Sequence, residues 1–252
     1  MSPETAGAQR AYTTVLFDLD GTLLPMDTDD FMRAYMKSLG AYMAQHGMNP
    51  QAGIDALFAG VKAMAGEHEQ SNHDVFWRTF CERMGTTVEE MEPLFTGYYA
   101  GPFSEVGAGV KPNPDAGRAV AALRGKGYTV AVATMPMFPT TAVRERIRWA
   151  GLDPDDFAFV TDYESCSAVK PHERFYRDVL ARAGAKAEET LMVGNHNRED
   201  GFATKLGCDI YFVDDHLIEA DDGIPVAACK HGTMADFAAF CEALPPAKKP
   251  AK

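Results

Sequence analysis

The sequence predicts an α/β protein in which helices cover both faces of a parallel sheet and a separate all-helical stretch interrupts it. Three observations lead there. Short apolar, β-branched segments at 13–18, 128–134, 157–161, 190–193 and 210–213 alternate with amphipathic segments at 114–126, 140–150, 172–183 and 199–206, which is the rhythm of βαβ units. The apolar segments lack strict alternation, as strands covered on both sides do. Between 29 and 100 the pattern is helical throughout, with no strand signal.

The first strand, 13–18, runs into a turn at Gly21. From Asp29 onward Met32, Met36, Leu39 and Met43 recur on one helical face, and Phe31, Tyr35 and Tyr42 on another. Asn49-Pro50 starts a second helix, which breaks near Gly66. A third starts at 71–74 and turns Phe76, Phe80 and Met84 inward, and Thr87 with Glu90 forms a capping box for a fourth. The rhythm changes after Pro112. A core domain is therefore assigned to 1–25 and 105–252, with a helical cap at 26–104. The ends, 1–10 and 245–252, are rich in Ala, Pro and polar residues. The stretch 245–252 has nothing to pack and is expected to be a disordered tail.

A chain of 252 residues with 46% apolar content suits one large domain, or a core carrying a smaller one. Apolar runs such as 130–133 fall far short of the ~20 residues of a membrane span, and 1–10 lacks the pattern of a signal peptide. The net charge of −12 repels nucleic acid and anionic lipid. Five scattered cysteines, with no Cys-x-x-Cys pair, read as reduced thiols in a cytoplasmic protein.

Ligands of an open parallel sheet bind beyond the carboxyl ends of its strands. The notable polar residues sit there: Asp18 and Asp20 after the first strand, Thr134 after the next, Lys170 in a loop beyond the third, and 194–200 after the fourth. Asp18 and Asp20, within Phe-Asp-Leu-Asp-Gly-Thr-Leu-Leu, repel each other unless a cation or a shared proton intervenes. A hard divalent cation with oxygen ligands is the natural solution. Taken singly, an Asp-x-Asp is a solvated turn, a Thr at a strand end is structural and a Lys-Pro is a solvated loop. Their common location carries the argument.

Asp18-Leu-Asp-Gly-Thr22 resembles the first motif of the haloacid dehalogenase-like superfamily. Thr134, closing Val-Ala-Val-Ala-Thr, resembles the second, Lys170-Pro171 the third, and Val193-Gly-Asn-His-Asn-Arg-Glu-Asp200 the fourth. Order and strand context match over nearly the whole chain, and the helical stretch lies where this superfamily carries its first type of cap. The resemblance implies a Rossmann-like core and a magnesium-dependent phosphatase. Asp18 would be the nucleophile, forming an aspartyl-phosphate. Asp20 would protonate the leaving oxygen and then activate water. Thr134 and the Met135 N–H would hold phosphoryl oxygens, and Lys170 would neutralise them. Magnesium would lie among Asp18, the Asp20 carbonyl, Asn195 and Asp200. The implied partner is a small phosphorylated metabolite, with no nucleic acid or membrane, acted on by a monomer or homodimer.

Two departures stand out. Asn195 occupies a position where relatives usually carry Asp, removing one negative charge from the metal site, and His196 follows it as a structural or solvated histidine or, alternatively, a transition-metal ligand. Met135 stands where relatives often carry Asn. A phosphomutase on the same scaffold, or a non-catalytic phosphate-binding protein with a decayed metal site, are the alternatives. A dehalogenase is disfavoured because that branch lacks the second Asp and needs no metal. Asp27, Asp29 and Arg33 lie near the cap hinge, within reach of a substrate.

Overall fold

The computed structural model describes residues 10–247. Its sheet has five parallel strands in the order β2-β1-β3-β4-β5. These are β1 (Thr14–Phe17), β2 (Thr129–Val132), β3 (Thr190–Gly194), β4 (Asp209–Val213) and β5 (Lys230–Gly232). Successive strand residues face opposite ways, and each face has its own core. Val15, Phe17, Val132 and Val193 pack with α5 (Pro114–Gly125), α6 (Thr140–Trp149) and α8 (Met234–Ala243). Leu16, Ala131, Met192 and Phe212 pack with α7 (Glu173–Ala183). From β1 the chain reaches β2 on one side and returns to β3 on the other, so the strand order reverses at β1. A ligand crevice opens at such a switch point.

Four helices separate β1 from α5 in the chain: α1 (Thr28–Gln45), α2 (Pro50–Met64), α3 (Asn72–Met84) and α4 (Val88–Ala100). Each starts where a side chain takes up otherwise orphaned N–H groups: Asp27 for α1, Asn49 for α2, Ser71 for α3 and the Thr87–Glu90 capping box for α4. Phe31, Tyr35, Leu39 and Met43 form the buried stripe of α1, with Met32, Met36 and Tyr42 half-buried beside it. Fully buried Asn72 pins α3 to the strand-end loops, donating from Nδ2 to the carbonyls of Pro136 (3.0 Å) and Ala168 (3.3 Å). Among the described residues, no helix is long and apolar enough to cross a membrane.

The structure departs from the sequence expectation in four places. Segment 157–161 is reduced to a single bridge, Val132 to Val160, although Ala158 and Thr161 donate to Val130 (2.8 Å) and Val132 (2.9 Å). It lies beyond β2 at the sheet edge, paired on one side only. Segment 199–206 is a 3-10 helix, Asp200–Leu206, rather than an α-helix. Its start is pinned, because the Asp200 carboxylate accepts from the Asn195 and His196 N–H groups and the Asp200 N–H donates to the His196 carbonyl. The elements β5 and α8 were not expected at all. Pro245–Ala247, placed by sequence in a disordered tail, is tied down. Tyr128 donates to the Pro245 carbonyl (2.8 Å), and Ala247 N–H to that of Lys126 (2.9 Å). The rest of the expected tail lies outside the described residues, as does most of 1–10.

Candidate active site

Asp18 follows β1 directly, and its N–H continues the ladder to the Val193 carbonyl at 2.8 Å. The chain then turns back, with Thr22 (3.2 Å) and Leu24 (2.8 Å) N–H groups donating to the Leu19 carbonyl. Gly21 adopts φ +73°, and a Cβ there would lie 2.2 Å from Asn195 Nδ2. Only glycine suits both the left-handed backbone and that approach. The first and fourth motifs can therefore touch.

Lys170 is fully buried and bridges two carboxylates, at 2.8 Å from Asp18 Oδ1 and 2.6 Å from Asp200 Oδ1. The other Asp200 oxygen accepts the N–H groups of Asn195 (3.1 Å) and His196 (3.0 Å). A Cβ on Gly194 would meet that oxygen at 2.1 Å, so glycine is required for the loop to wrap the carboxylate. Asp200, expected as a metal ligand, thus has both oxygens engaged in holding Lys170 and the loop. Asn195 Nδ2 donates to the His216 carbonyl at 2.6 Å, and its Oδ1 receives a long 3.4 Å contact from Thr22 Oγ1.

Asp20 has a cation of its own, which the sequence reading missed. Arg146 on α6 donates from Nη2 to Asp20 Oδ2 at 2.8 Å, and its guanidinium carbon lies 4.7 Å from the Phe138 ring centroid. Arg146 is only 1% exposed. The available signal was its register: it shares the buried face of α6 with Ala142, Val143 and Ile147, where an unpaired cation would be costly.

Thr134 follows β2 and is buried, and its Oγ1 has no partner among the described residues. Asp20 Oδ1 is likewise unpartnered. Natural proteins rarely leave such atoms orphaned unless a ligand serves them. Asp18, Asp20, Thr134, Met135, Asn195 and Asp200 share one cavity of about 310 Å3. His196 also lines it, its Nδ1 accepting long contacts from the loop N–H groups of Arg198 (3.3 Å) and Glu199 (3.4 Å). Asp27, Asp29 and Arg33 do not line it: Asp27 caps α1, and Arg33 pairs with Asp30 in solvent.

Burial pushes the Asp18 carboxyl up to about 6, against the opposing charge of Lys170 and with the help of Asp200. Burial raises that of Asp20 too, and Arg146 counters it. Burial works against the charge of Lys170, but Asp18 and Asp200 outweigh it and hold it as an ammonium.

The family model for haloacid dehalogenase-like hydrolases matches residues 12–207, the span that carries all of these groups. The chain belongs to that family. This hydrolase is 28% identical over 209 residues to a glyceraldehyde 3-phosphate phosphatase of Methanothermobacter thermautotrophicus, across 82% of this chain and 88% of the relative. It is 29% identical over 188 residues to the pyrophosphatase PpaX of Bacillus mycoides, across 74% of this chain and 76% of that one. Among solved structures it resembles a 2-haloacid dehalogenase of Pseudomonas syringae pv. Tomato DC3000. That match has TM-score 0.58 and 19% identity, and covers 91% of this chain and 99% of the other; at that identity the likeness is one of fold.

The donor set of the hydrolase fits a magnesium ion. Carboxylates of Asp18, Asp20, Glu199 and Asp200 face the cavity, while the cations beside them are Lys170 and Arg146. One divalent cation balances that excess. Among the described residues, no three His, Cys, Asp or Glu side chains form a ready-made cage. The oxygens on offer are the Asp18 oxygen not held by Lys170, the Asp20 carbonyl and the Asn195 amide oxygen. Magnesium, which keeps several waters and adds phosphate oxygens, suits so sparse a set.

Proposed function

We propose that this hydrolase cleaves a small phosphate monoester through an aspartyl-phosphate on Asp18. The observation that carries the reading is the separate pairing of two neighbouring carboxylates, Asp18 with Lys170 and Asp20 with Arg146. Two like groups in different environments can take different roles. An Asp18 oxygen attacks phosphorus, and the bond to the leaving oxygen breaks with its electron pair. That oxygen takes the proton of Asp20. Asp20, now a base, removes a proton from water as the water attacks phosphorus, and the bond to Asp18 breaks, releasing phosphate. Lys170 offsets charge on the phosphoryl group, and the orphaned Thr134 hydroxyl donates to one of its oxygens. Magnesium, held by Asp18, the Asp20 carbonyl and Asn195, would supply further charge stabilisation.

The curated relatives, a phosphatase and a pyrophosphatase, support phosphoryl chemistry. The fold likeness to a dehalogenase does not favour halide release, because a halide leaves without a proton and Asp20 with its Arg146 would have no task. The test is turnover of p-nitrophenyl phosphate with and without magnesium. Asp18→Asn should abolish it. Asp20→Asn should still form phosphoenzyme with this activated ester, and equal residual activity in the two variants counts against the roles.

A further inference from the structure

We infer that the ester this site accepts carries an uncharged, apolar leaving group, an alkyl or aryl alcohol rather than a hydroxy acid, sugar or second phosphate. The inference rests on the phosphatase reading and deepens it.

The cavity has two kinds of wall. The strand-end wall is polar, with Asp18, Asp20, Thr134 and Asn195. The apolar part of the lining is Met26, Phe31, Met32, Met135, Met137 and Phe138. Phe31 and Met32 come from α1, and Met135, Met137 and Phe138 from the loop after β2. At the rim stands Ile218, one of two large apolar side chains left exposed among the described residues, at 42%. Ligand pockets are apolar with a few placed polar groups; here the polar groups serve the phosphoryl end and the apolar ones lie where the rest of the ester must go. Methionine adds adaptability, because its unbranched side chain fits apolar shapes of several kinds.

Charge points the same way. A carboxylate or phosphate on the leaving group would need a cation, and the two cations beside this site each already pair with a carboxylate. Lys170 is committed to Asp18 and Asp200. Arg146 pairs with Asp20 through Nη2 and lies against the Phe138 and Phe31 rings, its Nε and Nη1 buried without a partner. The His196 ring lies 3.9 Å from Glu199 Oε1 and accepts loop N–H groups through Nδ1. Arg33, on the same helix as Met32, pairs with Asp30 outside the cavity. An anionic leaving group would instead meet Glu199. A polyol would meet thioethers and rings that return no hydrogen bond, leaving its hydroxyls desolvated at a cost.

The experiment measures kcat/KM of the magnesium-loaded wild-type protein on methyl, n-propyl and n-butyl phosphate, on glycerol 3-phosphate and on 3-phosphoglycerate, with p-nitrophenyl phosphate as reference. Burying a methylene is worth about 0.8 kcal/mol, so each one added should raise kcat/KM about fourfold. n-Butyl phosphate should exceed 3-phosphoglycerate by at least about tenfold. Met32→Lys should shift the ratio of these two toward 3-phosphoglycerate by about tenfold, the effect of one new cation (about 1.4 kcal/mol) at the apolar wall; a ratio is independent of the fraction folded. p-Nitrophenyl phosphate hydrolysed with no chain-length dependence, with 3-phosphoglycerate preferred, or with an unchanged ratio in M32K overturns this inference alone. Release of phosphate from no ester at all overturns the phosphatase reading beneath it.

Discussion

Arg146 Nη2 lies 2.8 Å from Asp20 Oδ2, joining residues 126 positions apart in the chain. The pair sets one Asp20 oxygen and leaves the other buried without a partner. A group that transfers a proton must be held in a reactive geometry as well as ionise at a suitable pH.

Loss of that tether should resemble partial loss of the acid. Arg146→Met should lower kcat/KM on n-butyl phosphate about tenfold more than on p-nitrophenyl phosphate, whose leaving oxygen needs no proton, and general acids contribute about 100-fold or more. Arg146→Lys should recover part of the difference, since it restores a charge without the planar fork. Equal losses on the two esters would assign Arg146 to stability alone.

Thr134→Val should separate binding from folding. Its hydroxyl is buried and unpartnered, so an isosteric methyl removes a desolvated group. The variant should be as stable as wild type, or more stable by about 1 kcal/mol, in urea unfolding. Its affinity for inorganic phosphate, by calorimetry, should fall about tenfold, the worth of one net hydrogen bond. Lower stability with unchanged phosphate affinity would show the hydroxyl to be structural.

Asn195→Asp is expected to strengthen magnesium binding at the expense of the apo fold. It adds a negative ligand. It also replaces the amide donor 2.6 Å from the part-buried His216 carbonyl with an acceptor, at a cost of about 1 kcal/mol. Thermal unfolding should therefore show a lower Tm without magnesium and a larger rise on adding it. A Tm unchanged by the substitution and by magnesium would place Asn195 away from the metal.

The pH profile should carry the imprint of Asp18. Attack requires the carboxylate, and burial pushes this carboxyl up to about 6. In low magnesium, kcat/KM on p-nitrophenyl phosphate, whose leaving oxygen needs no proton from Asp20, should fall tenfold per unit below pH about 6 and level off above it. A cation beside a carboxylate favours the charged form, so saturating magnesium should move this limb to lower pH. A limb unmoved by magnesium would separate the metal from Asp18.

Much of the molecule was legible from local pattern. The strands at 13–18, 128–134, 190–193 and 210–213 announce themselves by β-branched apolar runs, and α1 to α4 by caps and by the spacing of Phe31, Tyr35, Leu39 and Met43. Asp18, Asp20, Thr134 and Asn195 were legible because each follows a strand whose end faces the ligand crevice. β5 was not, since Lys230, His231 and Gly232 carry no apolar signal and become a strand only by pairing with β4. Segment 157–161 had the signal but lies where one neighbour is available.

The sequence by itself determined what has local causes: helix caps, strand runs, the Gly21 turn and the order of motifs. Only the tertiary structure decided which charges meet. Lys170 pairs with Asp200 as well as Asp18, and the Asp200 carboxylate also accepts the N–H groups of Asn195 and His196. Arg146 carries no motif of its own, and only the packing of α6 presents it to Asp20 against Phe138. The reason is physical. A helix or strand answers to neighbours a few residues away, whereas the partner of a buried charge is whichever opposite charge the packing of distant elements brings within hydrogen-bond reach.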